Sequence, residues 1–198
     1  MRVAFGTKAH SGWAALVVLD DDGSLLVVDR RRMELALDAR DKQPYHAAER
    51  LKPEAARALV ERGIRAARGA AVQGLKAAMA RAEEEQHEVL GCAVLVGEPM
   101  PDWTTDEILS VHVRMHKAEG VSFRIALVEA ARACGLALVA IPEKRLMDHA
   151  EKALRTPAAA LSVSMAALGR SVGAPWGKDQ KDAALAALVA LRGRPPAA

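Results

Sequence analysis

The fold is decided near the start of the chain, where residues 2–31 read RVAFGTKAHSGWAALVVLDDDGSLLVVDRR. This stretch contains three short apolar runs, at residues 2–5, 13–19 and 25–31, rich in residues that favour β-strands. The last two runs are joined by DDDG at residues 20–23, which is typical of a hairpin turn. The stretch therefore predicts three antiparallel strands.

The remainder of the chain alternates between helical and strand patterns. Residues 53–86 have apolar side chains at helical spacing, and Pro53 suits the first turn of a helix. Residues 87–97 contain the run EVLGCAVLVG, whose lack of alternation is typical of a strand covered on both faces. A second buried strand is predicted at 136–141, after a helix that ends at Gly135. Further helices are predicted at 105–117, 121–134, 143–154, 158–168 and 178–191. Three antiparallel strands followed by βα units predict an α/β fold, a mixed sheet with helices on both faces.

Length and composition favour one intracellular domain. The chain has 198 residues, of which 51% are apolar, and we expect a single domain at 1–192 with a frayed tail at 193–198. No apolar run approaches the roughly 18 residues of a membrane span, and no secretory signal opens the sequence, so we expect a cytoplasmic protein. Cys92 and Cys134 have no CxxC spacing and are interpreted as buried apolar residues. The formal charge of +3 neither requires nor excludes a polyanionic partner.

Four groups of residues occur in an order that suggests a known family. They are VAFGT at 3–7 with SGWA at 11–14, VGE at 96–98, KAEGV at 117–121 continuing to Gly135 and Leu136, and DQKDAALA at 179–186. Together they resemble the RuvC branch of the RNase H-like superfamily, the Holliday junction resolvases, and the resemblance covers most of the chain.

The resemblance implies an RNase H-like fold and a divalent-metal-dependent endonuclease that acts on branched or structured nucleic acid, most simply DNA. Mg²⁺ or Mn²⁺ would be the cofactor, with Glu98, Asp179 and Asp182 as the metal ligands. The chemistry agrees with this, because two-metal phosphodiester hydrolysis needs converging carboxylates. The spacing of Asp179 and Asp182 places both carboxylates on one face of a first helical turn.

The sequence departs from the family pattern at residue 4. The pattern has an Asp there that bridges both metals, whereas this chain has Ala4 and no carboxylate among residues 1–19. Two-metal hydrolysis should therefore be impaired or lost. A naturally degenerate domain and an Asp-to-Ala substitution made to inactivate the protein both explain this departure.

Other functions are also open. Asp179 and Asp182 could be ordinary acids of a first helical turn, and Glu98 a solvated loop residue. The chain would then be a noncatalytic interaction module that binds a protein partner or itself, and the long helix could mediate a homodimer under either interpretation. The FGT at 5–7 is also similar to the phosphate hairpin of actin-like ATPases, but those proteins need a second domain.

Two surfaces are candidate contacts for nucleic acid. One is the loop before the last helix, where an aromatic side chain lies among cations, a combination that suits base stacking; it contains Arg170, Trp176, Lys178 and Lys181. The other is a basic flank of the long helix, formed by Arg62, Arg65 and Lys76. In the alternative interpretation, Trp176 only packs the loop onto the core.

A third cluster has the spacing of a metal site. His112, His116 and Glu119 lie at i, i+4 and i+7 on a predicted helix, where they could bind a transition metal. The alternative is a polar helix face that lines the acidic cleft.

Overall fold

The structure is a computed structural model that describes residues 1–20 and 22–193. Its sheet has five strands in the order β3-β2-β1-β4-β5. The strands are β1 (Arg2–His10), β2 (Trp13–Asp20), β3 (Leu26–Glu34), β4 (Glu88–Val96) and β5 (Leu138–Pro142). The helices are α1 (Ala39–Lys42), α2 (Pro44–Ala48), α3 (Pro53–Glu84), α4 (Thr105–Leu109), α5 (His112–Ala133), α6 (Leu146–Leu154), α7 (Ala158–Val172) and α8 (Lys178–Arg192), and a 3₁₀ turn, Glu143–Arg145, precedes α6.

Strand directions confirm the predicted mixed sheet. β1 pairs antiparallel with β2, which pairs antiparallel with β3. On its other side β1 pairs parallel with β4, and β4 pairs parallel with β5. This is the predicted RNase H-like arrangement, in which three antiparallel strands are followed by parallel strands. The carboxyl ends of β1, β4 and β5 therefore meet at one edge of the sheet.

Helices cover both faces of the sheet, as predicted. On one face α3 and α5 bury a core that includes Phe5, Leu75 and Phe123. On the other face the core includes Leu19 and Leu95, and it is closed by α6, α7 and the alanine-rich α8. Strand β4 is buried on both faces, as predicted, because its alternate residues belong to the two different cores.

The long helix α3 spans 32 residues and has Pro53 in its first turn, as the sequence predicts. Its buried residues recur every three or four positions, so that one stripe faces the core. They are Ala56, Val60, Gly63, Ala67, Ala71, Leu75, Ala78 and Ala82.

Some helix boundaries differ from the sequence prediction. The break expected near residues 118–120 lies instead at Ser110 and Val111, and α5 runs unbroken through Gly120. A capping box that joins Thr104 and Glu107 fixes the start of the short helix α4, which ends within two turns. The polar stretch before α3 contains two short helices, α1 and α2, that the sequence pattern did not predict.

Within the part of the chain that the structure describes, none of the helices is long and apolar enough to cross a membrane. The expected hairpin turn at 20–23 includes Asp21, and the expected tail includes 194–198; these residues lie outside the described part. The assignment of 1–192 to one domain stays a prediction.

Candidate functional site

The first strand brings a lysine to the edge where the parallel strands end. Strand alternation places Ala4, Gly6 and Lys8 on the same face of β1, the face that α8 covers. Gly6 allows this close packing: a Cβ there would collide with the carbonyl oxygen of Ala183 and lie 2.6 Å from the backbone nitrogen of Ala187. Lys8 consequently lies beside the start of α8, and its side chain is only 5% exposed.

Three acidic side chains converge on Lys8, and we call them the carboxylate cluster: Glu143, Asp179 and Asp182. The Lys8 ammonium lies 3.2 Å from Glu143 Oε1, 3.2 Å from Asp179 Oδ1 and 2.7 Å from Asp182 Oδ2. An ammonium has three protons to donate, so a single side chain can satisfy all three acids.

Each acid is positioned by the start of a secondary-structure element. Glu143 opens the 3₁₀ turn directly after β5. Asp179 and Asp182 lie in the first turns of α8, on one helix face as their spacing predicts. The acids therefore meet at the carboxyl edge of the parallel strands, where functional sites of open α/β sheets form.

Further basic side chains surround the carboxylate cluster. Arg124 Nη2 lies 2.9 Å from Glu143 Oε2, and Lys178 Nζ lies 2.5 Å from Asp182 Oδ2. His10 Nε2 lies 3.0 Å from Asp179 Oδ1. Each acid thus has a second basic partner besides Lys8.

These contacts favour the ionised forms of Asp179 and Glu143. Burial alone would raise the pKa of Asp179, but interactions with His10 and Lys8 outweigh it and hold the pKa below its usual value. Burial is likewise outweighed at Glu143, whose pKa is lowered by Arg124 and Lys8. Burial would lower the pKa of Lys8, yet Asp182 and Glu143 raise it well above its usual value. The lysine is therefore charged under all physiological conditions.

A divalent metal ion does not fit this arrangement. Three carboxylates face three permanently charged cations, Lys8, Arg124 and Lys178, so the group is already neutral without a metal. The position between the acids is filled by the Lys8 ammonium, which would have to leave before an ion could reach carboxylates from more than one element. Mg²⁺ and Mn²⁺ need those oxygens free as ligands.

The structure brings together Asp179 and Asp182 but does not bring Ala4 or Glu98 into contact with them. Ala4 is fully buried in the core beneath α8. It lies four residues before Lys8, about 13 Å along an extended strand. The Glu98 side chain is 66% exposed, and its Oε1 lies 3.7 Å from Nζ of Lys144. The predicted metal-binding roles of Glu98, Asp179 and Asp182 stay predictions.

A cleft opens beside the carboxylate cluster. It has a volume of roughly 540 Å³ and is bordered by the ends of β4 and β5 and by α5. Its charged walls contain four cations and two acids, namely Lys117, Arg124, Lys144, Lys178, Glu98 and Glu143. These walls are therefore basic on balance, although Arg124 and Lys178 also pair with acids of the carboxylate cluster.

The loop before α8 is fixed to the rest of the molecule. Trp176 donates its indole N–H to the carbonyl of Met165 at 2.8 Å, and its ring packs against Gly169 of α7. Arg30 of β3 donates hydrogen bonds to four successive carbonyl oxygens, those of Val172, Gly173, Ala174 and Pro175. This agrees with the alternative interpretation of Trp176 as an anchor for the loop. Arg170 and Lys181 are exposed nearby, and their role in nucleic-acid binding stays a prediction.

The basic flank of α3 is partly neutralised. Arg62 pairs with Asp41 at 3.0 Å and Arg65 with Glu61 at 3.3 Å. Lys76 is exposed. The proposed contact of this flank with nucleic acid stays a prediction.

Sequence reasoning missed Lys8, His10, Arg124 and Glu143. For Glu143 a signal existed, since it directly follows a predicted buried strand, as Glu98 does. Lys8 is the one charged residue among residues 3–9 of β1, and this also could have been noticed. An aromatic stack beside the site was missed as well: Trp13 stacks on His10 at 4.4 Å between ring centroids, and Arg32 lies 4.1 Å from the Trp13 centroid.

No protein-family model matches the sequence, and no curated protein is significantly similar to it. Solved structures of similar shape include Thermus thermophilus RuvC in complex with Holliday junction substrate. It is 12% identical over 96% of this chain and 92% of that chain, with a TM-score of 0.49. Another structure of Thermus thermophilus RuvC is 14% identical over 94% of this chain and 92% of that chain, with a TM-score of 0.46. The RNase H-like arrangement of this chain is defined by its own sheet order, strand directions and helices on both faces.

Proposed function

We propose that the chain is a RuvC-like domain that binds branched or otherwise structured nucleic acid and cleaves it slowly or not at all. One observation argues against efficient cleavage: the Lys8 ammonium lies within 3.2 Å of an oxygen of each acid in the carboxylate cluster. An ammonium neutralises charge but has no open coordination position and cannot activate a bound water as a metal ion does. Mg²⁺ or Mn²⁺ hydrolysis is therefore not the expected activity.

The basic cleft supports the nucleic-acid part of the proposal. Lys117 and Lys144 are exposed on its walls, and Lys178 stands where the cleft meets the carboxylate cluster. Lysines around an open groove can contact phosphates, which positions a nucleic acid without reading its sequence. The residue groups similar to those of resolvases make branched DNA the first nucleic acid to test.

The binding test is a mobility-shift titration with four-way junction, flap, duplex and single-stranded probes at several salt concentrations. The cleft variant combines Lys117→Glu with Lys144→Glu. Its matched control combines Lys52→Glu with Lys152→Glu, two exposed lysines outside the cleft. We expect the cleft variant to weaken binding about tenfold or more and to reduce the salt slope by about 2, while the control changes binding little.

The cleavage test uses the same probes with Mn²⁺ and Mg²⁺. The wild-type protein should leave the bound junction intact, or cleave it at a rate far below the rate at which it binds. Robust metal-dependent cleavage by the wild type would contradict the non-cleaving part of the proposal. A flat salt response, or no shift with any probe, would contradict the nucleic-acid part.

An interaction module is the second candidate, and one surface favours it. A mainly apolar cleft of roughly 350 Å³ lies between α5 and the loop after β4, with Val121, Val128 and Trp103 among its walls. Ile125 on its rim is 43% exposed. A second copy of the chain or an apolar segment of a protein partner could bind there. Sedimentation of the wild type and of Ile125→Glu would test self-association through this cleft, and a dimer that is lost in Ile125→Glu would support it.

A further inference from the structure

Three histidines from two helices form a compact group on the side of α5 that faces α2. We call His46, His112 and His116 the histidine cluster. One ring nitrogen of each lies within 4.8 Å of the others. The group forms because Tyr45 and Ala48 of α2 pack with Met115 and Ala118 of α5 in a small core of their own, which aligns α2 with the first turns of α5.

The two ring nitrogens of His46 have opposite surroundings. Nδ1 lies 2.9 Å from Oε2 of Glu119, a buried carboxylate that is 2% exposed. In the neutral imidazole, a proton on Nδ1 that is directed at this carboxylate leaves the lone pair on Nε2. Nε2 is buried and has no hydrogen-bond partner among the described residues. An unpartnered buried acceptor costs free energy unless it binds something.

Glu119 is itself fixed in place. Its Oε1 accepts a hydrogen bond from the backbone N–H of His46 at 3.2 Å, while Oε2 faces the ring. A carboxylate that holds the far nitrogen of an imidazole is the usual outer partner of a metal-ligating histidine, since it sets the tautomer and the ring orientation. The sequence predicts Glu119 as a ligand beside His112 and His116. In the structure Glu119 contacts the outer nitrogen of His46 instead, and His46 is the third member of the group.

The other two histidines direct the same nitrogen toward one point. Nε2 of His112 and Nε2 of His116 are 3.1 Å apart, one helical turn from each other on α5. A tetrahedral zinc ion with Zn–N bonds of about 2.0–2.1 Å holds two ligand nitrogens about 3.3 Å apart. The outer nitrogen of His112, Nδ1, lies 4.0 Å from Oε1 of Glu49, which gives this ring a carboxylate on its far side as well.

We propose that His46, His112 and His116 together bind one first-row transition-metal ion of the zinc type, with Glu119 orienting His46. Three imidazole nitrogens suit Zn²⁺ and similar borderline ions and not Mg²⁺, which prefers oxygen ligands. Since the His112 side chain is 64% exposed, the fourth coordination position faces solvent and can accept water or an exogenous ligand. The ion also ties the five-residue helix α2 to α5. This site is separate from the carboxylate cluster and does not depend on the proposed function.

The test uses the full chain without a histidine tag, treated with a chelator and then titrated with Zn²⁺ by calorimetry and thermal unfolding. We expect one Zn²⁺ per chain and a rise in Tm of about 5–10 °C at free zinc a hundred times the Kd. Titration with Co²⁺ should give the visible absorption of a tetrahedral, nitrogen-ligated ion. Mg²⁺ should have no effect at this site.

Variants identify the ligands. His46→Ala and His116→Ala should each weaken zinc binding more than about 100-fold, because two remaining ligands hold the ion poorly. His149→Ala on α6 is the matched control and should bind like the wild type. The proposal is overturned if His46→Ala and His116→Ala bind Zn²⁺ as tightly as the wild type, or if binding is lost instead in His10→Asn. These measurements contain no nucleic acid, so a negative result for zinc would not contradict the proposed function.

Discussion

The carboxylate cluster and the histidine cluster each gather three side chains of the kinds that bind metal ions, but they differ in what fills their centre. In the first, the Lys8 ammonium lies 2.7–3.2 Å from the three acids. In the second, Nε2 of His46 is buried beside two other imidazoles and has no hydrogen-bond partner within residues 1–20 and 22–193. A set of metal-binding residue types is therefore not enough to indicate a metal site. The charge and the free lone pairs that remain after internal pairing decide whether a cation is needed.

The largest expected effect concerns residue 4, where the sequence suggests a missing ligand. Ala4→Asp would bury a carboxylate in the alanine-rich core beneath α8, away from Lys8, and should destabilise the protein by about 4 kcal/mol or more. The Tm deficit of Ala4→Asp relative to the wild type should shrink at low pH, where the new acid is protonated. The Tm deficit of Ala4→Asn should not depend on pH in this way. An Ala4→Asp protein as stable as the wild type, with new Mn²⁺-dependent cleavage, would place residue 4 in a metal site after all.

Removal of the Lys8 ammonium would leave the carboxylate cluster, like the histidine cluster, without a cation at its centre. Lys8→Met leaves three facing acids without their shared cation and should cost about 3 kcal/mol of stability. It should also create a response to divalent ions, so that millimolar Mn²⁺ raises the Tm of the variant but not of the wild type. Lys178→Met is the matched control: Lys178 also contacts Asp182, but its side chain is 76% exposed, and its loss should cost less than about 1 kcal/mol. If Mn²⁺ stabilises the wild type as much as Lys8→Met, the ammonium does not exclude metal.

A smaller change separates orientation from ligation in the histidine cluster. Glu119→Gln keeps the size of the side chain but removes the charge behind His46, and it should weaken Zn²⁺ binding about 10- to 100-fold. Calorimetry at fixed pH measures this directly. Glu129→Gln changes a glutamate further along α5 that pairs with Arg68 at 2.7 Å, and it should have no effect. Equal zinc affinity in Glu119→Gln and the wild type would mean that the carboxylate has no orienting role.

The smallest effect is the acid sensitivity of the carboxylate cluster. Because the pKa values of Asp179 and Glu143 are lowered in the folded state, their ionised forms stabilise it at neutral pH. That contribution is lost as pH falls below about 4, through the folded pKa values. The raised pKa of Lys8 gives the opposite sign, stabilisation that is present below about pH 10 and lost only in strong base. Urea unfolding between pH 3 and pH 7 should therefore show a steeper acid loss in the wild type than in Lys8→Met, and parallel curves would contradict the pairing.

The fold was largely predictable because its signals are local. Apolar runs without alternation predicted β4, and helical spacing predicted α3 almost to its ends. The break between the two helices was predicted at 118–120 and lies at Ser110 and Val111. Packing of α5 against both α3 and the sheet keeps the helix continuous through Gly120.

The sites were less predictable because they join distant parts of the chain. Asp179 and Asp182 share a helical turn, so their spacing was informative. Lys8 and Asp182 are separated by 174 positions, and no local pattern indicates that they meet. His46 lies in a polar stretch whose short helix the sequence did not suggest, so the histidine cluster could be predicted only in part, from His112 and His116.

The lysine in the carboxylate cluster also changes what the cell can control. A dissociable ion occupies its site according to its free concentration, but a cation attached to strand β1 has a fixed local concentration on the order of millimolar or higher. Chelation, dilution or metal starvation cannot empty the cluster. The electrostatic state of this edge of the sheet is therefore encoded in the gene, independent of the supply of magnesium or manganese.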